Sequence, residues 1–278
     1  MQLHFDEVRA EQGSPVQSAI FLHGILGSGP NLRSLARSLT DALPHWGAAL
    51  VDLRAHGRSL GPEGPDTLSA AAQDVAQTSP SFSAPARAVL GHSFGGKVAL
   101  TMLAEQAGGL EDVFVVDSTP GRRPERRGAE GTLRVLAMLE SIGDARFESR
   151  SDFVREVQSR EQPAMLAQWL AQSLARRPDG AFQFGLDVRR IRALLDDYFE
   201  RDLWPVVESP PGDARVHLIV GGRSSSFDAE DRRRAQDLAA SSAGRVTVTT
   251  LDTDHWVHVE DPAGLLRVVR DRLIERGQ

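Results

Sequence analysis

Short runs of apolar residues recur along the chain at intervals typical of a parallel sheet. Each run is only four to six residues long, which favours buried strands over helices. The runs cover residues 19–22, 48–51, 86–90, 113–116, 216–220 and 246–251. Because helical patterns separate the runs, the alternation predicts parallel strands joined by crossover helices.

Apolar residues at helical spacing occupy several of the intervals. Leucine recurs every three or four residues over 31–43, and a similar pattern covers 94–107, so both segments are predicted to be helices. Near the C-terminus, Asp261 followed by Pro262 is a favoured helix start and predicts a helix over 262–275. An additional edge strand is predicted over 3–8.

The long interval between the fourth and fifth runs breaks the alternation. Helical patterns occur over 132–142, 153–157, 164–174 and 186–199, with no convincing strand, and both edges are rich in Gly and Pro. The prediction is an α/β fold with a doubly wound, mostly parallel sheet. Its core would comprise 1–118 and 214–278, with a helical lid at 119–213 inserted after the strand that ends at Asp117.

Composition narrows the class of protein. The 278 residues include no cysteine, which excludes a disulfide scaffold, thiolate metal ligands and a thiol nucleophile. A net charge of −6 argues against a nucleic-acid binder. No apolar run approaches the ~20 residues that span a bilayer, and the first residues lack a signal-peptide pattern. The sequence therefore predicts a soluble, cytoplasmic protein, and it carries no signal of oligomeric state.

The most informative motif is Gly91-His92-Ser93-Phe94-Gly95. It follows a predicted strand and precedes a predicted helix, the context in which Gly-x-Ser-x-Gly forms a sharp turn that exposes a nucleophilic serine. We therefore predict that Ser93 is the nucleophile. Lys97, one turn further along this helix, is interpreted as a solvated or structurally paired residue.

A serine nucleophile needs a general base, and eight histidines are available. His255 lies just after the last predicted strand, and the order of serine first and late histidine matches a known arrangement of hydrolases. His258 is the nearest alternative, but it falls in the next turn. A metal site at the two histidines is disfavoured because no third ligand lies at metal-binding spacing. No metal or other cofactor is expected.

An oxyanion hole requires two backbone N–H groups. One is predicted at Phe94, the residue after the nucleophile. The other is predicted at Ile25, with Leu26 as the alternative, because the glycine-rich loop 24–29 follows the first central strand. A phosphate-binding role is disfavoured for this loop because it lacks the Gly-Lys-Ser/Thr ending.

Four segments carry a family resemblance: His23-Gly24, residues 52–59, the Ser93 motif and His255. In these the chain resembles the α/β-hydrolase superfamily. Within it, residues 23–28, 91–97, 117–120 and 255–262 are similar to small acyl esterases of the YbfF type and their mitochondrial relatives. The resemblance implies a Ser-His-Asp hydrolase.

The third residue of the triad departs from the commonest pattern of the superfamily. Serines 224–226 occupy the loop after the predicted lid, where that pattern has Asp or Glu, and serine cannot carry the required charge. Asp117 ends the strand after the nucleophile's strand and should lie beside Ser93. The YbfF-type resemblance implies the same assignment, with Ser224 in the hydrogen-bond network. Asp228 is the alternative acid, whereas Asp252 and Asp254 are too near His255 in the chain.

These residues predict a serine carboxylesterase that acts on small uncharged esters or thioesters. A haloalkane dehalogenase is disfavoured because it would have aspartate at position 93. Two alternatives stay open. One is an acyl-CoA thioesterase or a carbon–carbon hydrolase, for which arginines 122, 123, 126 and 127 could attract an anionic substrate. The other is a receptor or signalling protein that uses the fold to bind a ligand.

Overall fold

A seven-stranded sheet forms the centre of the fold, here described from a computed structural model for residues 1–61, 64–105, 109–126 and 128–276. The strands, including a separate hairpin of β6 and β7, are β1 (Phe5–Val8), β2 (Gln17–Leu22), β3 (Trp46–Val51), β4 (Ala86–His92), β5 (Asp112–Val116), β6 (Leu174–Arg176), β7 (Phe182–Phe184), β8 (Arg215–Gly221) and β9 (Val246–Leu251). The sheet order is β1-β3-β2-β4-β5-β8-β9, and β1 is the antiparallel member at one edge.

Helices cover both faces of the sheet because its strands are apolar on both sides. The helices are α1 (Arg33–Ala42), α2 (Leu68–Thr78), α3 (Phe94–Ala104), α4 (Glu130–Ile142), α5 (Arg150–Ser159), α6 (Ala164–Leu170), α7 (Val188–Glu200), α8 (Trp204–Glu208), α9 (Ala229–Ser241), α10 (Val257–Glu260) and α11 (Pro262–Arg276). In β2, Phe21 packs into one core with α1 and α11, whereas Ile20 and Leu22 pack into the other with α2 and α3. Within the described ranges, no helix has the length and apolar character needed to cross a membrane.

The predicted strands and their parallel arrangement are confirmed. The chain moves from β2 outward to β3 on one side and then to β4 on the other, so β2 and β4 are neighbours whose connections diverge. A crevice forms at such a switch point, at the carboxyl ends of the strands. Ile25, Ser93 and Asp117 all follow strands that end at this edge. The predicted start of α11 is also confirmed, since Asp261 accepts the Gly264 N–H at 2.8 Å.

The insert segment, residues 119–213, differs from the prediction that it contains no strand. Strands β6 and β7 pair antiparallel, with Leu174 opposite Phe184. Each strand has three residues, too few for alternation to be recognised in the sequence. The predicted helix over 164–174 is also too long, because α6 ends at Leu170 and a 3₁₀ turn leads into β6.

Four of the described helices, α2, α8, α9 and α10, have no counterpart among the predictions. Helices α8 and α10 have only five and four residues, too few for a helical pattern to be recognised. The buried side of α2 mixes small and polar residues with two large apolar ones, and α9 buries only Ala235 beneath a highly charged surface, so neither shows a strong apolar stripe. The predicted helix over 94–107 is observed as far as Ala104. Residue 107 and Arg127 of the arginine cluster lie outside the described residues.

Candidate active site

Ser93 occupies the sharp turn between β4 and α3. Its φ of 53° and ψ of −116° are a strained conformation for a residue with a side chain. A Cβ added at Gly91 would lie 2.1 Å from the Gly95 carbonyl oxygen, and one at Gly95 would lie 2.4 Å from the Leu22 oxygen. The two glycines therefore allow the tight turn and the close approach of α3 to the end of β2.

A line of hydrogen bonds joins Ser93, His255 and Asp117. His255 Nε2 lies 3.1 Å from Ser93 Oγ, and Nδ1 lies 2.7 Å from Asp117 Oδ2. In this arrangement the serine hydroxyl donates to Nε2, and the protonated Nδ1 donates to the carboxylate. These distances are those of a nucleophile, a base and the acid that orients the base. The structure thus brings together the three residues predicted from positions 93, 117 and 255.

The serine loop after β8 surrounds the buried Asp117 carboxylate. The Gly221 N–H donates to Oδ1 at 2.9 Å, and the Ser224 hydroxyl donates to Oδ2 at 2.5 Å. Ser226 Oγ also lies 3.1 Å from His255 Nδ1. The sequence analysis did not identify this contact, and the only feature that could have indicated it is the run of serines at 224–226. The predicted place of Ser224 in the hydrogen-bond network is therefore observed.

Asp228, the alternative acid, lies elsewhere. Its carboxylate accepts the Asp231 N–H at 2.9 Å as the N-cap of α9, and it pairs with Arg123 at 2.7 Å. Asp252 is almost fully exposed and pairs with Arg223. Asp254 accepts the backbone N–H of His255 and does not bond to its ring. Of the four carboxylates considered, the one that bonds to the His255 ring is therefore that of Asp117.

The structure separates the two candidates for the second oxyanion donor. The Leu26 N–H donates to His56 Nε2 at 3.0 Å, so this amide is occupied. Among the hydrogen bonds of the described residues, none uses the N–H of Ile25, and Phe94 begins α3, where the first amides have no partner within the helix. Ile25 and Phe94 both line a cavity with Ser93.

Two buried histidines hold the loop that carries Ile25. His23 Nε2 accepts the Leu53 N–H at 3.0 Å, and its Nδ1–H donates to the Gly24 oxygen at 2.8 Å. His56 likewise accepts from Leu26 and donates to the Arg54 oxygen at 2.8 Å. Both rings must be neutral to accept these bonds. The segment 52–59, one of the four that carry the family resemblance, therefore orients the loop of Ile25.

A second pair of histidines supports the backbone of His255. His92 Nε2–H donates to the His255 carbonyl oxygen at 2.9 Å, and the His258 ring lies 4.6 Å from His92 between centroids. Burial lowers the pKa of His92 well below 6.5, and the neighbouring His258 and His255 add to this effect. The ring of His258, the alternative base, contacts those of His92 and Trp256, whereas the ring that lies within hydrogen-bond distance of Ser93 Oγ is that of His255.

These buried histidines predict a loss of stability in mild acid. Burial lowers the pKa of His23 to about 4, of His56 to about 3 and of His258 to about 4, from 6.5 in each case. Below pH 6.5 the unfolded chain therefore binds protons that the folded chain does not. The free energy of unfolding should fall as the pH is lowered from 7 to 5, by up to roughly 1.4 kcal/mol per pH unit for each group.

Urea unfolding at several pH values measures this slope. His258→Phe is the matched variant, because His258 Nδ1 is buried with no hydrogen bond among the described residues. In this variant the free energy of unfolding should depend less steeply on pH, by the contribution of about one proton. Equal stability of the wild type at pH 7 and pH 5 would contradict the prediction.

Two cavities meet at Ser93. They share Ile25, Ser93, Gly131, Thr132 and His255. The first, the Tyr198 cavity, has a volume of about 270 Å³ and is bounded by Phe94, Leu195, Tyr198, Phe199 and Ser225. The second, the Trp169 cavity, has a volume of about 360 Å³ and is bounded by Leu26, Val135, Leu166, Trp169 and Trp256. Helices α4, α6 and α7 of the insert segment therefore form much of the wall on both sides of the serine.

The three described arginines of the cluster after Asp117 all form ion pairs. Arg122 pairs with Glu200 and Arg126 with Asp196, each at 2.7 Å. Arg123, which lines the Tyr198 cavity, is held by both Asp228 and Asp231. With these carboxylates at contact distance, Arg122, Arg123 and Arg126 offer no unpaired positive charge to an anionic substrate.

Comparisons with known proteins agree with this architecture. The chain is 26% identical to esterase YbfF of Escherichia coli strain K12 over 97% of its own length and 98% of that protein. It is 27% identical to the mouse sn-1-specific diacylglycerol lipase ABHD11, covering 90% of this chain and 78% of the lipase. A solved structure titled marine microorganism esterase superposes with a TM-score of 0.79 at 22% identity, covering 97% and 98% of the two chains.

The family itself follows from a match along most of the sequence. Residues 19–268 match the alpha/beta hydrolase family, a stretch that begins in β2 and ends in α11. The named relatives are esterases and lipases, as the sequence resemblance implied. The chain therefore belongs to the α/β-hydrolase family and is a hydrolytic enzyme related to esterases of the YbfF type.

Proposed function

We propose that the chain is a serine carboxylesterase that hydrolyses small uncharged acyl esters through an acyl-enzyme intermediate. The observation that carries this proposal is the line of contacts from Ser93 Oγ through His255 to Asp117, at 3.1 and 2.7 Å. An esterase relationship alone would leave the reacting groups unassigned. The contact distances supply an activated hydroxyl, a base and a buried charge in one array.

In the proposed reaction, Ser93 Oγ attacks the acyl carbonyl carbon while its proton passes to His255 Nε2. The N–H groups of Ile25 and Phe94 stabilise the negative charge that develops on the carbonyl oxygen. His255 then protonates the leaving alcohol as the tetrahedral intermediate collapses to the acyl-enzyme. Water then attacks the acyl carbon while its proton passes to His255. The bond to Ser93 Oγ breaks, His255 returns the proton to this oxygen, and the carboxylic acid leaves.

The walls of the cavities support an uncharged substrate. Leu166, Trp169 and Trp256 give the Trp169 cavity an apolar wall, although Arg134 also lines it. The arginine in the Tyr198 cavity is already paired with two aspartates, so an anionic substrate would have to compete with these carboxylates there. An ester with apolar acyl and alcohol parts needs no such partner, and a thioester of the same shape would fit equally.

A panel of p-nitrophenyl esters of increasing acyl length, with matched thioesters, tests this function. We expect burst kinetics and labelling of Ser93 by a fluorophosphonate, because both report an acylated or phosphonylated serine. The proposal would be overturned if the fluorophosphonate did not label Ser93 and no ester or thioester were hydrolysed. Labelling without turnover would favour the receptor alternative.

We also propose that the insert segment is a lid over the two cavities. Trypsin is expected to cut first near Arg122, which is exposed in the connection before α4, because such edges open more readily than the sheet. A covalent inhibitor on Ser93 should slow this cut by holding the lid walls in place. First cuts confined to the central strands, or a rate unchanged by the inhibitor, would contradict the lid assignment.

A further inference from the structure

The single lysine of the chain, Lys97, lies one turn after Ser93, in the helix that begins directly after the serine. Lys97 is fully buried, and its Nζ donates to three backbone oxygens, those of Gly121 at 2.7 Å, Tyr198 at 2.7 Å and Arg201 at 2.8 Å. An ammonium group has three donors and no acceptor, so this group is fully used. Lys97 therefore has no donor left for a substrate.

The arrangement explains why this position has lysine in a chain whose other basic residues are arginine. Lys+Arg number 32, and 31 of these are arginine. Three carbonyls that converge on one point suit a compact ammonium with tetrahedral donors, whereas a guanidinium is planar and larger. Burial lowers the pKa of Lys97 to about 7, and the charge of Asp202 opposes this shift.

The three carbonyl groups come from two distant parts of the insert segment. Gly121 lies near its start, after β5, and Tyr198 and Arg201 lie at the end of α7. One side chain of α3 therefore ties the start of the insert segment and the end of α7 to the helix that follows Ser93. A helix turn is rigid, so this contact sets the position of both parts relative to the nucleophile.

Tyr198 makes this tie relevant to the cavity. Its ring lies 4.5 Å from Lys97 Nζ, and its hydroxyl lies 3.2 Å from Ser118 Oγ, next to Asp117. Burial raises the pKa of Tyr198 to about 12, so the phenol stays protonated. The wall of the Tyr198 cavity is thus fastened at its backbone and ring by Lys97 and at its hydroxyl by Ser118.

We propose that Lys97 is a positioning residue that fixes the Tyr198 wall relative to Ser93 Oγ and so determines how tightly the enzyme holds its ester. The inference rests on the proposed esterase function. Without the ammonium, three buried carbonyl oxygens lose their hydrogen-bond donor. Because a buried acceptor without a donor is unfavourable, the backbone at Gly121, Tyr198 and Arg201 is expected to move so that water can reach these oxygens. The wall then loses its fixed distance from the nucleophile, while the Ser93–His255–Asp117 contacts persist.

Kinetics of Lys97→Met, Lys97→Arg and Thr101→Val test the proposal. Thr101 is the matched control, because its buried hydroxyl bonds to the Lys97 carbonyl within α3 at 2.8 Å. For p-nitrophenyl butyrate we expect both Lys97 variants to raise KM on the order of tenfold with a smaller change in kcat, and Thr101→Val to change neither. An unchanged KM in folded Lys97→Met, or an equal rise in Thr101→Val, would overturn the assignment.

Two further measurements separate this inference from the esterase proposal. Trypsin should cut Lys97→Met near Arg122 faster than Thr101→Val, and this result requires no catalytic activity. If Lys97→Met fails to fold, the wild type can be acetylated with an amine-reactive reagent instead, since Lys97 is the only lysine of the chain. Acetylation should be slow and should raise KM once it occurs. Rapid acetylation at Lys97 with unchanged KM would overturn the proposal.

Discussion

Replacing Ser93 by alanine is expected to lower kcat for ester hydrolysis by about a millionfold. The reason is that no other described hydroxyl lies within hydrogen-bond distance of His255 Nε2. Alanine keeps the Cβ that the strained turn already accommodates, so the fold should persist. The measurement is turnover of p-nitrophenyl acetate together with a thermal unfolding curve.

Ser225→Ala is the matched control for this change. Ser225 lines the same cavity, but it makes no hydrogen bond to His255 or Asp117 among those of the described residues. Its variant should keep wild-type turnover. Turnover close to wild type in folded Ser93→Ala would remove Ser93 as the nucleophile and with it the acyl-enzyme mechanism.

Replacing Asp117 by asparagine is expected to lower kcat by up to ~10⁴-fold while leaving the fold intact. The carboxylate accepts hydrogen bonds from Gly221 and Ser224 as well as from His255 Nδ1. An amide has one acceptor oxygen and one donor nitrogen, so it cannot accept all three bonds. It also favours the wrong imidazole tautomer and cannot offset the charge of the protonated ring.

The ranking of three variants makes this test specific. Asp228→Asn should have little effect, because Asp228 caps α9 and pairs with Arg123. Ser224→Ala should lower kcat by about tenfold or less, since a neutral hydrogen bond contributes only ~0.5–1.5 kcal/mol. Steady-state kinetics on one ester would rank them. A large loss at Asp228 with a small loss at Asp117 would assign the acid to the loop after the insert segment.

Local features were enough to predict the nucleophile turn and the strands around it. The Ser93 turn needs glycines at fixed positions, because a Cβ at either would collide with backbone atoms, and this requirement appears directly in the sequence. Strands buried on both faces read as continuous apolar runs. The three-residue strands of the insert segment gave no such signal, because they are stabilised by contacts between distant residues such as Phe147 and Phe182.

The sequence by itself determined the fold class, the neighbouring positions of the strands before Ser93 and Asp117, and the choice of Ser93 and His255 as candidates. It left the acid, the second oxyanion donor and Lys97 open, and tertiary structure decided where each of these groups lies. Asp117 meets His255 across 138 residues of chain, His56 occupies the amide of Leu26, and Lys97 bonds to carbonyls about a hundred residues away. The physical reason is that local motifs encode backbone geometry, whereas hydrogen-bond partners depend on which loops the sheet brings together.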